Sequence, residues 1–366
     1  MTSPIEAVGS FIAPDQLTNA IDRHASGAIG IPDLTQAEDE AVKEIVERQL
    51  AVGLPYITSG ELRRKHWDKD FWFGLNGITC ERVDTGHAYM PVEARRDLVR
   101  LTGRIAFNPE HPFFRDFSFL HDAVGGRARC RECLPSPADL LMSVFSLSDG
   151  HPERMYESVD ALVADIAESY RLTAMHLHSL GCRSLQFDDT ACGRLCDATF
   201  TKRLLQGGVD IMQLHKLVME VINRSVEGLP TDMERSIYLS GGDRVVPEWE
   251  FILYPDNIMP HVLATLDVDK FFLPFNVSQD YPLEILRHVP AGKKVVLGVA
   301  DAHSPYPDDE ALIAVAIGHA RRHVPADCLS ISPRTGFKCS SYSTRGITFE
   351  DQWNKLAWLG AIRLPH

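Results

Sequence analysis

The stretch Arg183-Ser184-Leu185-Gln186-Phe187-Asp188-Asp189 reads as a short buried strand that stops on two adjacent carboxylates, with Thr190, Ala191, Cys192 and Gly193 behind it. A long amphipathic segment ending at Gly181 leads into it. Helix, apolar strand and acidic strand end, in that order, make one unit of a parallel α/β sheet, where the loops at the carboxyl ends of strands carry the chemistry. Asp188 and Asp189 are expected to look into a common mouth, although a carboxylate in this position also serves to cap the next helix.

The same unit recurs in both directions. Upstream, Glu6-Ala7-Val8 breaks at Gly9-Ser10-Phe11, and Ala41, Val42, Ile45, Val46 and Leu50 predict a helix from about Thr35 to Leu50, ended by Gly53. Pro55-Tyr56-Ile57-Thr58 is a second strand, ending on Ser59-Gly60-Glu61. Behind it comes a charged segment, Leu62 to Trp72, whose Trp67 and Trp72 suggest a loop folding over a site. Residues 76–126 lose the rhythm and read as an insertion after the second strand, of hairpin type, within one domain spanning 1–366. A third strand near Ala128 to Leu134 passes through Pro135-Ser136-Pro137 into a helix starting at Ala138.

Downstream, helices are expected near 159–180, 208–226, 257–266, 308–323 and 348–362. The intervening strands are Ser236 to Ser240, Lys270 to Phe275, Lys293 to Val299 and Cys328 to Ser332. About eight strands, each followed by a helix or an excursion, fit a closed (β/α)8 TIM barrel; an open doubly wound sheet gives a similar local pattern, but no composition break divides the chain into halves. The strand ends supply the site candidates: Ser10, Glu61, Asp188, Asp189, Asp243, Arg244, Asn276, Asp301, His303 and Arg334.

Composition narrows the class. The chain has 366 residues, 45% of them hydrophobic, and 37 Lys plus Arg against 50 Asp plus Glu give a formal charge of -13. That balance argues against a grip on nucleic acid. No apolar run approaches the roughly 20 residues that span a bilayer and no signal-peptide order begins the chain, so a cytoplasmic protein without a membrane partner is expected. Eight cysteines in this length do not form a disulfide framework, and the Cys130/Cys133 and Cys192/Cys196 pairs suit reduced thiols.

The residues at these strand ends resemble a known family, the cobalamin-independent methionine synthases, and especially their short single-barrel homologues. The likeness runs through Gly9-Ser10-Phe11, Ser59 to Arg64, Asp70 to Gly77, Pro135-Ser136-Pro137, Leu185 to Asp189, Val295 to Ser304, Leu329 to Phe337 and Glu350-Asp351-Gln352-Trp353. The resemblance implies a barrel whose parent reaction is methyl transfer to a thiol activated by zinc, bound through His, Cys, Glu and Cys. Here the His-x-Cys-x-Gly-Asn segment reads Ile237-Tyr238-Leu239-Ser240-Gly241-Gly242, the glutamate falls at Pro274 and the last cysteine at Thr335. Ile, Leu and Pro offer a cation nothing and Thr is a poor zinc ligand, so no zinc and no other cofactor is expected. Cys192 and Cys339 lie near motif positions and leave a rebuilt metal site open. Ser10, Glu61 and Asp188 fall where the family holds the amino-acid part of homocysteine, and the uroporphyrinogen decarboxylase branch of the superfamily works without a metal.

The expected catalytic groups are Asp188, Glu61, His303 and Asp189, since paired carboxylates in a dry pocket push their pKa values apart and histidine titrates near neutrality. Arg63, Arg64 and Arg334 can bind a carboxylate or stabilise an oxyanion, or form surface ion pairs; Ser10, Trp67, Trp72, Asp243, Arg244 and Asp301 complete the substrate-binding set. The reading is a metal-independent lyase, isomerase, cyclase or decarboxylase acting on a small organic substrate in specialised metabolism. A thiol-directed transferase and a catalytically silent binding protein are the alternatives, and self-association is left open.

Overall fold

A computed structural model describes residues 4–82, 97–147, 155–240, 258–275, 277, 283–338 and 346–362. Its strands are β1 (Tyr56–Ile57), β2 (Asn76–Arg82), β3 (Asp97–Ala106), β4 (Arg129–Pro135), β5 (Ser184–Asp189), β6 (Glu234–Leu239), β7 (Lys270–Pro274), β8 (Lys294–Ala300) and β9 (Leu329–Pro333). Seven of them form one parallel sheet in the order β1-β4-β5-β6-β7-β8-β9, so sheet order follows chain order. β2 and β3 pair antiparallel as a separate hairpin inside the stretch read as an insertion, and the helix Pro112–Val124 then leads into β4.

The eighth position belongs to the N-terminal segment. Ile5 bridges Ile331 of β9 in parallel, with Glu6 N–H donating to Ile331 O (2.9 Å) and Ile331 N–H to Pro4 O (3.0 Å). Past it, Phe11 N–H donates to Gly60 O behind β1 at 3.0 Å, so the segment that pairs with the last strand also reaches the first. The fold is the expected parallel barrel, with its first strand reduced to a bridge. At the other end of the chain, Gln352 of the helix Phe349–Ala361 accepts from Ile12 N–H (2.8 Å) and donates to Ile12 O (3.1 Å), holding the terminal helix on this seam.

The strand sequences follow from two buried faces with different chemistry. In β5, Leu185 and Phe187 join the large core between sheet and helices, while Ser184, Gln186 and Asp188 alternate to the interior. The interior is layered. Val8, Tyr238, Phe272 and Val296 form a small apolar cluster of their own. Glu6, Lys270 and Lys294, each two residues before a member of that cluster, form an ionic layer with Arg131 of β4 and Glu234 of β6: Glu6 meets Arg131 (2.6 Å) and Lys270 (2.9 Å), and Glu234 meets Lys270 and Lys294 (2.8 Å each). Tyr56 OH donates to Glu234 at 3.1 Å and Arg131 to Ser184 Oγ at 3.0 Å. Burial opposes the charge on Glu234, but Lys270, Lys294 and Arg131 outweigh it and hold its pKa at about 2.

Several helices begin where local chemistry places a cap. The helix Ile31–Ala51 starts earlier than the apolar spacing predicts, because Pro32 suits its first turn and Asp33 accepts from Gly30 N–H. The helices Asp15–Ala25, Ala191–Cys196 and Ala198–Gln206 had no counterpart in the periodicity.

Glu6 carries the cations of two strands, so Glu6→Ala leaves buried charge unpaired and is expected to cost about 3–5 kcal/mol by chemical denaturation. A loss below about 1 kcal/mol, the range of an exposed pair, would show that the layer does not hold the seam.

Candidate active site

The β1 end delivers Glu61 in a strained backbone. Glu61 has φ +57°, and among the described residues no other non-glycine residue is in the left-handed region. Such a conformation costs on the order of 1–3 kcal/mol and persists only where the surroundings enforce it. Here they do. Gly60 precedes it at φ +63°, in a space where a Cβ would lie 2.6 Å from Ile45 Cδ1, and Ser10 Oγ donates to Glu61 Oε2 at 2.5 Å. Ser10 is fixed in turn: its carbonyl accepts the amides of Phe337 (2.9 Å) and Lys338 (3.2 Å), and the Cβ of any residue replacing Gly336 would lie 2.7 Å from Ser10 N.

Three strand ends converge on this carboxylate. Ligand-type atoms of Glu61, Cys133 and Asp188 lie within 4.8 Å of one another, all buried. Asp188 accepts from Gln186 Nε2 at 2.8 Å. Arg64 donates to Glu132 and to the Cys133 carbonyl, both at 2.7 Å, with its guanidinium 4.4 Å from the Phe113 ring centre. Its other terminal nitrogen, Nη1, is 3.5 Å from Glu61 Oε1, and neither of these two buried atoms makes a hydrogen bond. Cations are too few for the acids. Burial, and then the charge of Glu61, push the Asp188 pKa up to about 8, against the Gln186 bond and Arg64. Burial lifts Glu132 to about 7 despite Arg64. The Cys133 thiol is raised well above its ordinary value by burial and the two carboxylates, so it is no ready thiolate.

A second group stands on the β8 and β9 ends. Asp301 lies 3.4 Å from Arg334 and accepts from His303 N–H at 2.8 Å, while His303 Nε2 is 3.5 Å from Thr335 Oγ1. Tyr238, from the interior face of β6, donates to Arg334 O at 2.9 Å. The loop Pro333 to Lys338 joins the two groups, touching His303 through Thr335 and Ser10 through Gly336.

The positions matched to the zinc ligands can be inspected directly. Ile237 and Leu239 are fully buried in the outer core, Tyr238 between them faces the interior, Pro274 is buried and Thr335 is half-buried beside His303. None offers a thiolate, imidazole or carboxylate at its position, so the residues do not fit the family's metal centre.

Ser10, Glu61, Arg64 and Asp188 come together, and Asp301, His303 and Arg334 lie together at the neighbouring strand ends. Three expectations are corrected. Asp189 faces the opposite way, accepting Cys192 N–H at 2.8 Å at the start of the helix Ala191–Cys196, because adjacent strand residues point to opposite faces. Arg63 is wrapped by Glu38, Asp39 and Asp116 on the helix layer. Trp72 is core, 1% exposed with its indole N–H on Tyr170 OH at 3.0 Å, and is not part of a lid. Trp67 is half-buried in the turn before the short helix Lys69–Trp72. Asp243, Arg244, Asn276 and Cys339 lie outside the described residues. Sequence reasoning passed over Cys133, Glu132, Gln186 and Lys338. Alternation alone would have found Cys133 and Gln186, each two residues before a strand-end residue that was noticed.

Comparison with known proteins agrees with the fold. Residues 253–346 match the family described as the catalytic domain of cobalamin-independent synthase. The uncharacterised protein YxjG of Bacillus subtilis (strain 168) is 28% identical over 355 residues, covering 96% of this chain and 91% of its own. The crystal structure of a putative vitamin-B12 independent methionine synthase from Listeria monocytogenes superposes with a TM-score of 0.76 at 28% identity, over 98% of this chain and 96% of that one. A B12-independent methionine synthase from Shewanella sp. W3-18-1 shares the fold at 20% identity and a TM-score of 0.70, over 99% and 98% of the two chains.

Asp188 sets a pH test. Its folded pKa is raised above that of an unfolded carboxyl, so the stability it contributes is whole below about pH 4 and is lost as pH rises through about 8. The thermal midpoint is expected to fall over that interval, and Asp188→Asn should flatten the fall, leaving the share due to Glu132 and Asp139, both raised to about 7 by burial. An Asp188→Asn profile parallel to the parent would mean that Asp188 is ionised throughout.

Proposed function

We infer that this chain, a single-barrel relative of the cobalamin-independent methionine synthases, performs metal-independent acid/base chemistry on a small organic substrate at the Glu61 and Asp188 strand ends. Lyase, isomerase, cyclase and decarboxylase steps are the reactions such a site can run. The observation that carries the reading is the unequal pair: Glu61 fixed by Ser10 with an oxygen free of hydrogen bonds, and Asp188 beside it with a pKa of about 8. One member supplies a proton at neutral pH while the other accepts a hydrogen bond or a positive charge. Arg64, buried and always charged, lies 3.5 Å from Glu61 Oε1 and offers Nη1 to an anionic group of the substrate. His303, lying against Thr335, is the candidate for a second proton transfer at the far side of the mouth.

No zinc is assigned to the parental centre, because its four positions read Ile237, Leu239, Pro274 and Thr335. A thiol-directed transferase is the second reading, favoured by Ser10, Glu61 and Asp188 standing where the resemblance puts homocysteine's amino-acid group.

The two readings separate on one preparation. Protein purified without chelator is expected to hold far less than one zinc per chain and to form no methionine from homocysteine and methyltetrahydrofolate, with or without added zinc. Stoichiometric zinc that survives dialysis, or methionine formation abolished by Asp188→Asn, overturns the acid/base reading in favour of transfer.

A further inference from the structure

Lyase, decarboxylase and many isomerase steps leave an electron pair on carbon. Without a metal it is stabilised either by hydrogen bonds from acids and arginine to a substrate oxyanion or by a covalent iminium that receives it. The carboxyls of this site can serve only the first route. A lysine amine can serve the second, by condensing with a substrate carbonyl to give an iminium.

The described amines differ sharply in their surroundings. Lys270 is held by Glu6 at 2.9 Å and Glu234 at 2.8 Å, and Lys355 by Asp308 at 3.0 Å. Lys69 is buried and keeps partners too. Among the described lysines that are not exposed, Lys338 is the exception: it is half-buried, and no hydrogen-bond acceptor or carboxylate of the described residues pairs with its ammonium. Its backbone is nevertheless fixed at the site. Lys338 N–H donates to Ser10 O at 3.2 Å, next to Phe337 N–H on the same oxygen at 2.9 Å, and Phe337 stacks on Phe11 at 6.0 Å. Ser10 is the residue that holds Glu61, so amine and acid issue from two chain segments clamped to each other. Burial lowers the Lys338 pKa, with the charge of Glu61 opposing it. A fixed backbone, a half-buried amine unpaired among the described residues and an acid on the segment clamped to it are conditions that suit a nucleophilic amine.

We propose that Lys338 is the covalent catalytic residue of this site and that its substrate is a small carbonyl compound, an aldehyde or ketone, which it binds as an imine. The proposal rests on the acid/base reading above and adds the electron sink. The free amine adds to the carbonyl carbon and the carbonyl oxygen becomes a hydroxyl. That hydroxyl takes a proton from the acid pair and leaves as water, forming the protonated C=N bond. The bond from the α-carbon to the departing group then breaks, releasing a proton to the carboxylate of the pair, or carbon dioxide, or a carbonyl fragment, and its electron pair flows to the iminium nitrogen, giving an enamine. A proton returned to carbon restores the imine, and one water molecule hydrolyses it to product and free Lys338.

The test needs neither turnover nor the natural substrate. Full-length protein is treated at neutral pH with glycolaldehyde and cyanoborohydride, and reductive alkylation at each lysine is followed by peptide mass spectrometry. Lys338 is expected to react about tenfold faster than exposed Lys65, and denaturation in urea before labelling should abolish the preference. Equal or slower labelling of Lys338 in the folded protein overturns the proposal. Asp188→Asn labelled in parallel separates the two readings. Preferential labelling in both proteins supports the amine whatever the acids do, whereas a pH profile of stability that ignores Asp188 removes the acid pair and leaves the labelling result standing.

Discussion

The barrel depends on the pairing of Glu6 with Arg131 and Lys270. Its N-terminal strand contributes one bridge, at Ile5, to the parallel ladder, too little to hold a seam by backbone hydrogen bonds alone. The charge network does what the ladder does not. It connects the N-terminal segment across the interior to β4 and β7, and through Glu234 to β6 and β8. Ion pairs buried this deeply gain little over an apolar core but penalise heavily any arrangement in which one partner is missing, so they specify which strand lies where.

The same interior holds two polar layers, and they obey opposite electrostatics. In the lower one Glu6 and Glu234 face Arg131, Lys270 and Lys294, and the Glu234 pKa falls to about 2. In the upper one Glu61, Asp188 and the Cys133 thiol share Arg64 with Glu132, and the Asp188 pKa rises to about 8. Val8, Tyr238, Phe272 and Val296 separate the two. The balanced layer is structural, because each charge has its counter-charge within hydrogen-bond reach. The acid-rich layer is where a proton can be held at neutral pH and given up, and strain at Glu61 is concentrated there too.

The positions that the resemblance matches to zinc ligands are held by packing and hydrogen bonds. Tyr238 reaches Arg334 O, Thr335 reaches His303, and Arg334 lies against Asp301. The loop from Pro333 to Lys338 joins the β8 and β9 ends to Ser10.

Much of this was legible in the sequence. The repeat of helix and apolar strand points to a parallel α/β sheet, because each strand buried on two faces must be followed by a helix that covers it, while closure rests on the Ile5 bridge to β9 and the Phe11–Gly60 contact behind β1. Polar residues at strand ends named Ser10, Glu61, Asp188 and His303, which the fold gathers at neighbouring strand ends. What the sequence could not decide is direction and pairing. Asp188 and Asp189 are chemically identical neighbours, and only the strand pleat turns one to the mouth and the other to a helix cap. Arg63 and Arg64 are likewise adjacent, yet one meets three acids on the helix layer and the other Glu61 and Glu132. Cys133 and Lys338 gain their meaning from residues far away in the chain, since burial and charge at a point are sums over everything folded around it.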